Sequence, residues 1–316
     1  MTMTATQSSP VQAHREEAIA AAVVESFDGA DPRLREIGRS LARHLHGFLR
    51  ETRVTPDEWA NAVRVLAECA AVSEGRRDEL VLLSDVLGAS AQVVAMHDPA
   101  DGATESTVLG RFFLEGAPRV EPGGDIARGA TGEPLLVTGS VRDLAGRPVA
   151  GARVDLWEAD GDGFYDMQYT DGRCTARGRL ETDAEGAFRC WAVVPAPVSI
   201  PHDGPVGALL QRLGRSPMRP AHLHLRVRAP GLRPLVTQLF PAADEHLDAD
   251  PVHAARPSLA RTFARRPPGS PTPDGRVLPP GSSWSNVRFD IVLAPEGARR
   301  AARTPRPQHH PSTTEP

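Results

Sequence analysis

The chain has 316 residues, enough to bury a substantial core and to form two structural parts. Its formal net charge of -4 excludes the basic excess on which binding to nucleic acid or an anionic membrane surface relies, and no stretch is long and apolar enough to span a bilayer. Cys69, Cys174 and Cys190 are widely spaced and form no CxxC pair, so neither a zinc knuckle nor a disulfide framework is indicated and a cytoplasmic location is expected.

Residues 1–15 are polar and are expected to be a disordered tail, followed by a helical dimerisation domain over 16–100. Leu34, Ile37, Leu41, Leu45, Phe48 and Leu49 recur at helical spacing and predict an amphipathic helix to about residue 50. His44 and His46 sit on it, but two residues apart on a helix they diverge and make a poor chelate. Thr55-Pro56-Asp57-Glu58 is a helix start with a capping box, and Trp59, Val63, Leu66 and Ala70 supply the apolar face behind it. A further helical pattern runs from Asp78 through Leu80, Leu83 and Leu87 and resumes after Gly88. So much apolar helix surface over so little chain suits a dimer interface.

From about residue 101 to 296 short β-rich runs alternate with Gly, Pro, Asp and Asn, so the fold class is α+β, a mixed β-sandwich behind the helices. Strands are expected over Leu135 to Val141, Ala152 to Trp157, Phe188 to Val194 and Asn286 to Leu293, and residues 297–316 read as a second disordered tail. The run Gly139 to Asp143 with Gly146 to Ala152 resembles small transthyretin-like and carboxypeptidase-regulatory-like modules, many of which catalyse nothing. Glu158 to Tyr169 opens like a calcium loop, but Tyr165 stands where an EF-hand needs its turn glycine and the flanks are strands.

The run with the most chemistry is Arg219-Pro220-Ala221-His222-Leu223-His224-Leu225-Arg226-Val227. Pro220 suits the start of a strand, which places His222 and His224 on one face and Leu223, Leu225 and Val227 on the other. Two imidazoles so placed can bind one metal ion, and they can equally be hydrogen-bonded residues of a half-buried strand.

Six blocks in order resemble the intradiol ring-cleavage dioxygenases: Leu83 to Gly88, Thr104 to Gly110, Gly163 to Asp166, Ile200 to Gly207, Arg219 to His224, and Thr237-Gln238. The resemblance implies a non-haem Fe(III) ion, a homodimer joined by the helical domains, and cleavage of hydroxyquinol or a related catechol by O2 to a muconate or maleylacetate-type product. It implies that Tyr165, His222 and His224 are metal ligands and that Arg219 and Gln238 lie beside the substrate ring. Leu82, Asp85, Val108, Gly110, Arg111 and Val252 fall where that family builds its pocket, and a phospholipid between helical domains is a further ligand it suggests.

The chain departs from the family at the second, axial tyrosine, where Pro195-Ala196-Pro197-Val198-Ser199-Ile200-Pro201 places Val198. Valine can neither bind a metal ion nor accept a proton. Tyr169 could replace it only if the segment after Tyr165 folds back, and His202 is a second candidate. Arg111 is a smaller departure, standing where relatives commonly carry Pro. Two readings follow: an active dioxygenase with a two-histidine, one-tyrosine site, and a non-catalytic β-sandwich homologue.

Overall fold

A computed structural model of the chain describes residues 9–75, 77–98 and 101–298, and the chain divides into two units, Met1–Glu68 and Cys69–Pro316. The expected tail over 299–316 lies outside the described residues.

The first unit contains α1 (Pro10–Glu25), α2 (Pro32–Thr52) and most of α3 (Pro56–Ala71). Each helix starts with proline behind a residue whose side chain accepts early N–H groups. Ser9 accepts from Gln12, Asp31 accepts from Arg33 and Leu34, and Thr55 and Glu58 exchange bonds in the expected capping box. Helix α1 therefore begins inside the stretch read as a tail, because polar composition concealed the Ser9-Pro10 start signal. Leu34, Ile37, Leu41, Leu45 and Phe48 of α2, with Trp59, Val63 and Leu66 of α3, are exposed.

The second unit opens with α4 (Glu79–Val86) and α5 (Ala89–Met96), the last helices of the helical stretch. Contacts far along the chain hold them there. Buried Glu79 accepts the Val206 N–H at the start of α6 (Pro205–Arg212) at 3.2 Å, and Arg77 bridges Glu79 to Asp203.

Two five-stranded sheets follow. In the first, β1 (Pro134–Asp143) pairs antiparallel with β4 (Ala187–Val193) along one edge. Along the other edge it runs parallel to β11 (Trp284–Arg288) and then β12 (Ile291–Leu293), with β10 (Ala264–Arg266) outermost. The expected single strand Asn286 to Leu293 is thus two. It breaks at Phe289-Asp290, where Asp290 accepts the Ser140 N–H at 2.9 Å and the Phe289 carbonyl comes so close to Gly139 that a Cβ there would lie 2.1 Å from it.

The second sheet has the order β3 (Arg177–Glu181), β2 (Arg153–Glu158), β7 (Leu223–Arg228), β8 (Leu235–Pro241) and β9 (Ala260–Arg261). Only the β8 to β9 pairing in it is parallel. Strand β7 begins at Leu223 rather than at Pro220, because β6 (Met218–Arg219) pairs with β5 (Val198–Ser199) and Pro220 to His222 bends between the two. Leu223, Leu225 and Val227 are fully buried, as the alternation requires, and together with Leu135, Val137, Val154 and Ile291 they form the core of a mixed β-sandwich.

Candidate metal centre

Strand β7 delivers His224 at its second residue, between Trp157 of β2 and Gln238 of β8. The Trp157 indole stacks on the imidazole, with centroids 4.7 Å apart and planes 4° from parallel. From the opposite side Gly110 closes on the ring: its φ is +75°, and a Cβ there would lie 2.8 Å from His224 Cε1. His222 projects from the bend before β7. Its Nδ1 lies 2.7 Å from the Pro220 carbonyl oxygen, which can only accept, so Nδ1 carries the hydrogen and Nε2 presents a lone pair.

Tyr165 arrives from the loop after β2. A short 3-10 turn, Asp166–Gln168, folds back so that the Tyr165 N–H donates to Gln168 Oε1 at 2.8 Å, and Phe112 stacks on the phenol with centroids 4.1 Å apart. A buried Asp166–Arg177 ion pair fixes both neighbours, since Arg177 Nη1 also donates to the Phe112 carbonyl at 3.1 Å.

These supports bring three atoms together. Tyr165 Oη is 3.2 Å from His222 Nε2 and 3.0 Å from His224 Nε2, and the two nitrogens are 3.0 Å apart. At most two hydrogens, one from Tyr165 and one from His224, are available for these three contacts. With metal–ligand bonds of about 2.0–2.2 Å, donors in one coordination shell lie roughly 3 Å apart, so the trio fits a metal ion. Among the described residues no group of three or more His, Cys, Asp and Glu side chains is arranged to hold one; here a phenol completes the set.

Burial dominates the electrostatics. It pushes His222 down to about 3 and His224 well below the usual imidazole value, helped by the Arg219 charge, so both rings are neutral. Burial also raises the Tyr165 phenol. Arg219 places Nη1 3.1 Å from His222 Nε2 and donates through Nη2 to Gln238 Oε1 at 2.9 Å. Its Nε donates to Asp250 Oδ1 at 3.1 Å. Burial alone would raise Asp250, and the Arg219 guanidinium holds it low instead.

A pocket opens beside the trio, and Leu82, Asp85, Val108, Gly110, Arg111, Val198, Arg219 and Val252 all line it, with Ser199, Ile200 and Pro201. Every residue expected to form the pocket is therefore present in its wall. Gln238, expected beside the ring, is not: it is fully buried behind His224, its Nε2 3.3 Å from Nδ1. Burial raises Asp85 and lowers Arg111, which donates to the Asp78 carbonyl.

Val198 packs against Tyr165, Trp157 and Ala159 in the pocket wall, and neither candidate replacement reaches it. The Tyr169 hydroxyl donates to Asp160 Oδ2 at 2.6 Å, which pushes the phenol up to about 12, with Arg173 stacked over the ring. Exposed His202 turns Nδ1 to Ser199 and the Ile200 carbonyl. Sequence reasoning missed Asp250, Trp157, Phe112 and the Asp166–Arg177 pair. Only Asp166 sat inside a recognised block.

Known proteins match most of the chain. Residues 121–295 match the family model described as Dioxygenase, and residues 31–105 match the one described as Catechol dioxygenase N terminus. The chain is 53% identical over 293 residues to a hydroxyquinol 1,2-dioxygenase of Nocardioides simplex, covering 91% of this chain and 99% of that protein. It is 52% identical to one of Rhodococcus opacus, covering 89% of this chain and 94% of that protein. The solved hydroxyquinol 1,2-dioxygenase of Pseudomonas putida DLL-E4 superposes with a TM-score of 0.83 at 38% identity, over 90% of this chain and 100% of that one. These matches, with the tyrosine and two histidines converging in the sandwich, establish that the chain belongs to the intradiol ring-cleavage dioxygenases and is hydroxyquinol 1,2-dioxygenase-like.

Proposed function

We propose that the chain opens the ring of hydroxyquinol between its vicinal hydroxyl-bearing carbons, with O2 as co-substrate, at a ferric ion held by Tyr165, His222 and His224. The observation that carries this is the meeting of those three donors, beside Arg219, in the pocket of an intradiol dioxygenase. When bound, a ferric ion supplies Lewis acidity to the diol oxygens and an electron path between ring and dioxygen.

The protein groups then have separate tasks. Arg219 offers a fixed cation to negative charge developing on the diol, an interaction strengthened where apolar walls keep water out. Gln238 acts from behind, orienting Arg219 and His224. Asp85, the one carboxylate among the described residues that line the pocket, accepts from the third ring hydroxyl, while Leu82, Val108, Gly110 and Val252 set the width and Arg111 forms part of the polar wall.

The test is oxygen uptake and ring-opened product from hydroxyquinol with the iron-loaded chain, expected in the wild type and abolished in His224→Ala together with iron binding. Uptake no greater than in His224→Ala would leave the non-catalytic reading, which Val198 favours.

The exposed apolar stripe of α2 and α3 seats a second copy of the chain, making a homodimer. A groove of about 460 Å³ lined by Glu16, Ile19, Leu49, Arg50 and Arg53 suits a phospholipid, with its acyl chain on the aliphatic residues and its phosphate on Arg50, since Arg53 is paired with Glu16. Cys190 is buried and Cys174 exposed as thiols, which fits a reducing cytoplasm.

A further inference from the structure

We infer that Val198 makes iron retention depend on the substrate, so that the ferric ion and a vicinal aromatic diol bind this site as a cooperative pair. The inference rests on the dioxygenase reading above. The trio supplies one oxygen and two neutral nitrogens. The side facing it from β5 is hydrocarbon, for Val198 is 7% exposed and packs on Tyr165 and Trp157. The guanidinium of Arg219, 3.1 Å from His222 Nε2, has the same sign of charge as the metal ion. Tyr169 and His202 are both engaged elsewhere.

A ferric ion is hard and favours anionic oxygen donors, of which this protein offers too few. An aromatic diol that has lost its protons supplies two on one rigid ring, and the pocket beside Val198 opens towards the trio to admit it. A ligand that improves metal binding is itself bound more tightly when the metal is present, by the same factor. A phenol restored at position 198 would satisfy the ion without the diol and weaken that coupling.

The experiment uses the full chain loaded with ferric iron and kept free of oxygen. Nitrilotriacetate is titrated with and without one equivalent of 4-nitrocatechol, and the iron remaining on the protein is measured after gel filtration. In the wild type the chelator concentration for half-removal should rise at least about fivefold with the diol. In Val198→Tyr it should start higher and change less than about twofold. Iron stripped by the diol itself lowers the retained amount and so works against the expected result.

An equal rise in both proteins would overturn the role given to Val198. Diol-independent retention in a wild type that still cleaves hydroxyquinol would sink the inference and leave the dioxygenase reading standing. No iron bound in either titration, with no ring cleavage, would remove both. The wild-type pair of titrations decides even if Val198→Tyr does not fold.

Discussion

Asp250 holds three backbone N–H groups, those of Val252, Ala254 and Ala255, and the Arg219 guanidinium on one buried carboxylate. It thereby fixes a pocket wall and the pocket cation together. Asp250→Asn turns an amide NH2 towards groups that only donate, which loosens both Arg219 and the wall, and misplacement of this kind costs about 100-fold in kcat/KM. Part of that loss passes through Arg219, so adding Asp250→Asn to Arg219→Ala should cost less than Asp250→Asn costs alone, and a full second loss in steady-state assays would contradict the link. Gly110→Ala is the complementary steric test: at φ +75° with His224 Cε1 in the way, it should lower iron content and destabilise the fold by about 1–3 kcal/mol. Metal analysis and urea unfolding read both effects. That Tyr165, His222 and His224 come together was legible from the sequence because each sits inside a recognisable block. Asp250 was not, since a carboxylate 31 residues beyond Arg219 leaves no local pattern.

Among the elements, β1, β2 and β4 were readable as short β-rich runs between turn residues, and α3 from its capping box. The short strands β5 and β6 were not, because two-residue strands carry no period and exist only by pairing with each other. Helix α6 was hidden as well, because it starts inside a block recognised for its residues rather than its conformation. Glu133, just before β1, ties that strand to its neighbours by accepting from Ser283, Ser285 of β11 and Arg265 of β10. Burial would raise its pKa, but these bonds outweigh it and hold the carboxyl below the usual value. A depressed folded-state pKa gives stability that is present above the unfolded value of about 4.3 and is lost as pH falls through the folded one. Glu133→Gln should therefore remove part of the acid-side slope in unfolding free energy, lying below the wild type by a constant amount above that window and converging on it as pH falls. An unaltered acid slope would show that the clamp contributes nothing. The α3 cap gives a second check, with Thr55→Ala costing about 1 kcal/mol in urea unfolding.

At the scale of the molecule, the α+β class and the order of helices before sandwich were legible, because hydrophobic period changes visibly near residue 100. The division after Glu68 was not, since it depends on Glu79 and Arg77 meeting partners more than a hundred residues later. The exposed stripe of α2 predicts a dimer, so Leu41→Glu with Leu45→Glu should give a monomer by light scattering, and an unchanged mass would place the contact elsewhere. The proposal that Tyr165 and the two histidines hold the iron that opens the ring is tested by the visible spectrum of the chain loaded with ferric iron and 4-nitrocatechol without oxygen, recorded beside Tyr165→Phe. A tyrosinate-to-iron absorption band present in the wild type and missing in the variant is the expected result; no such band, or the same spectrum from both proteins, would contradict the assignment.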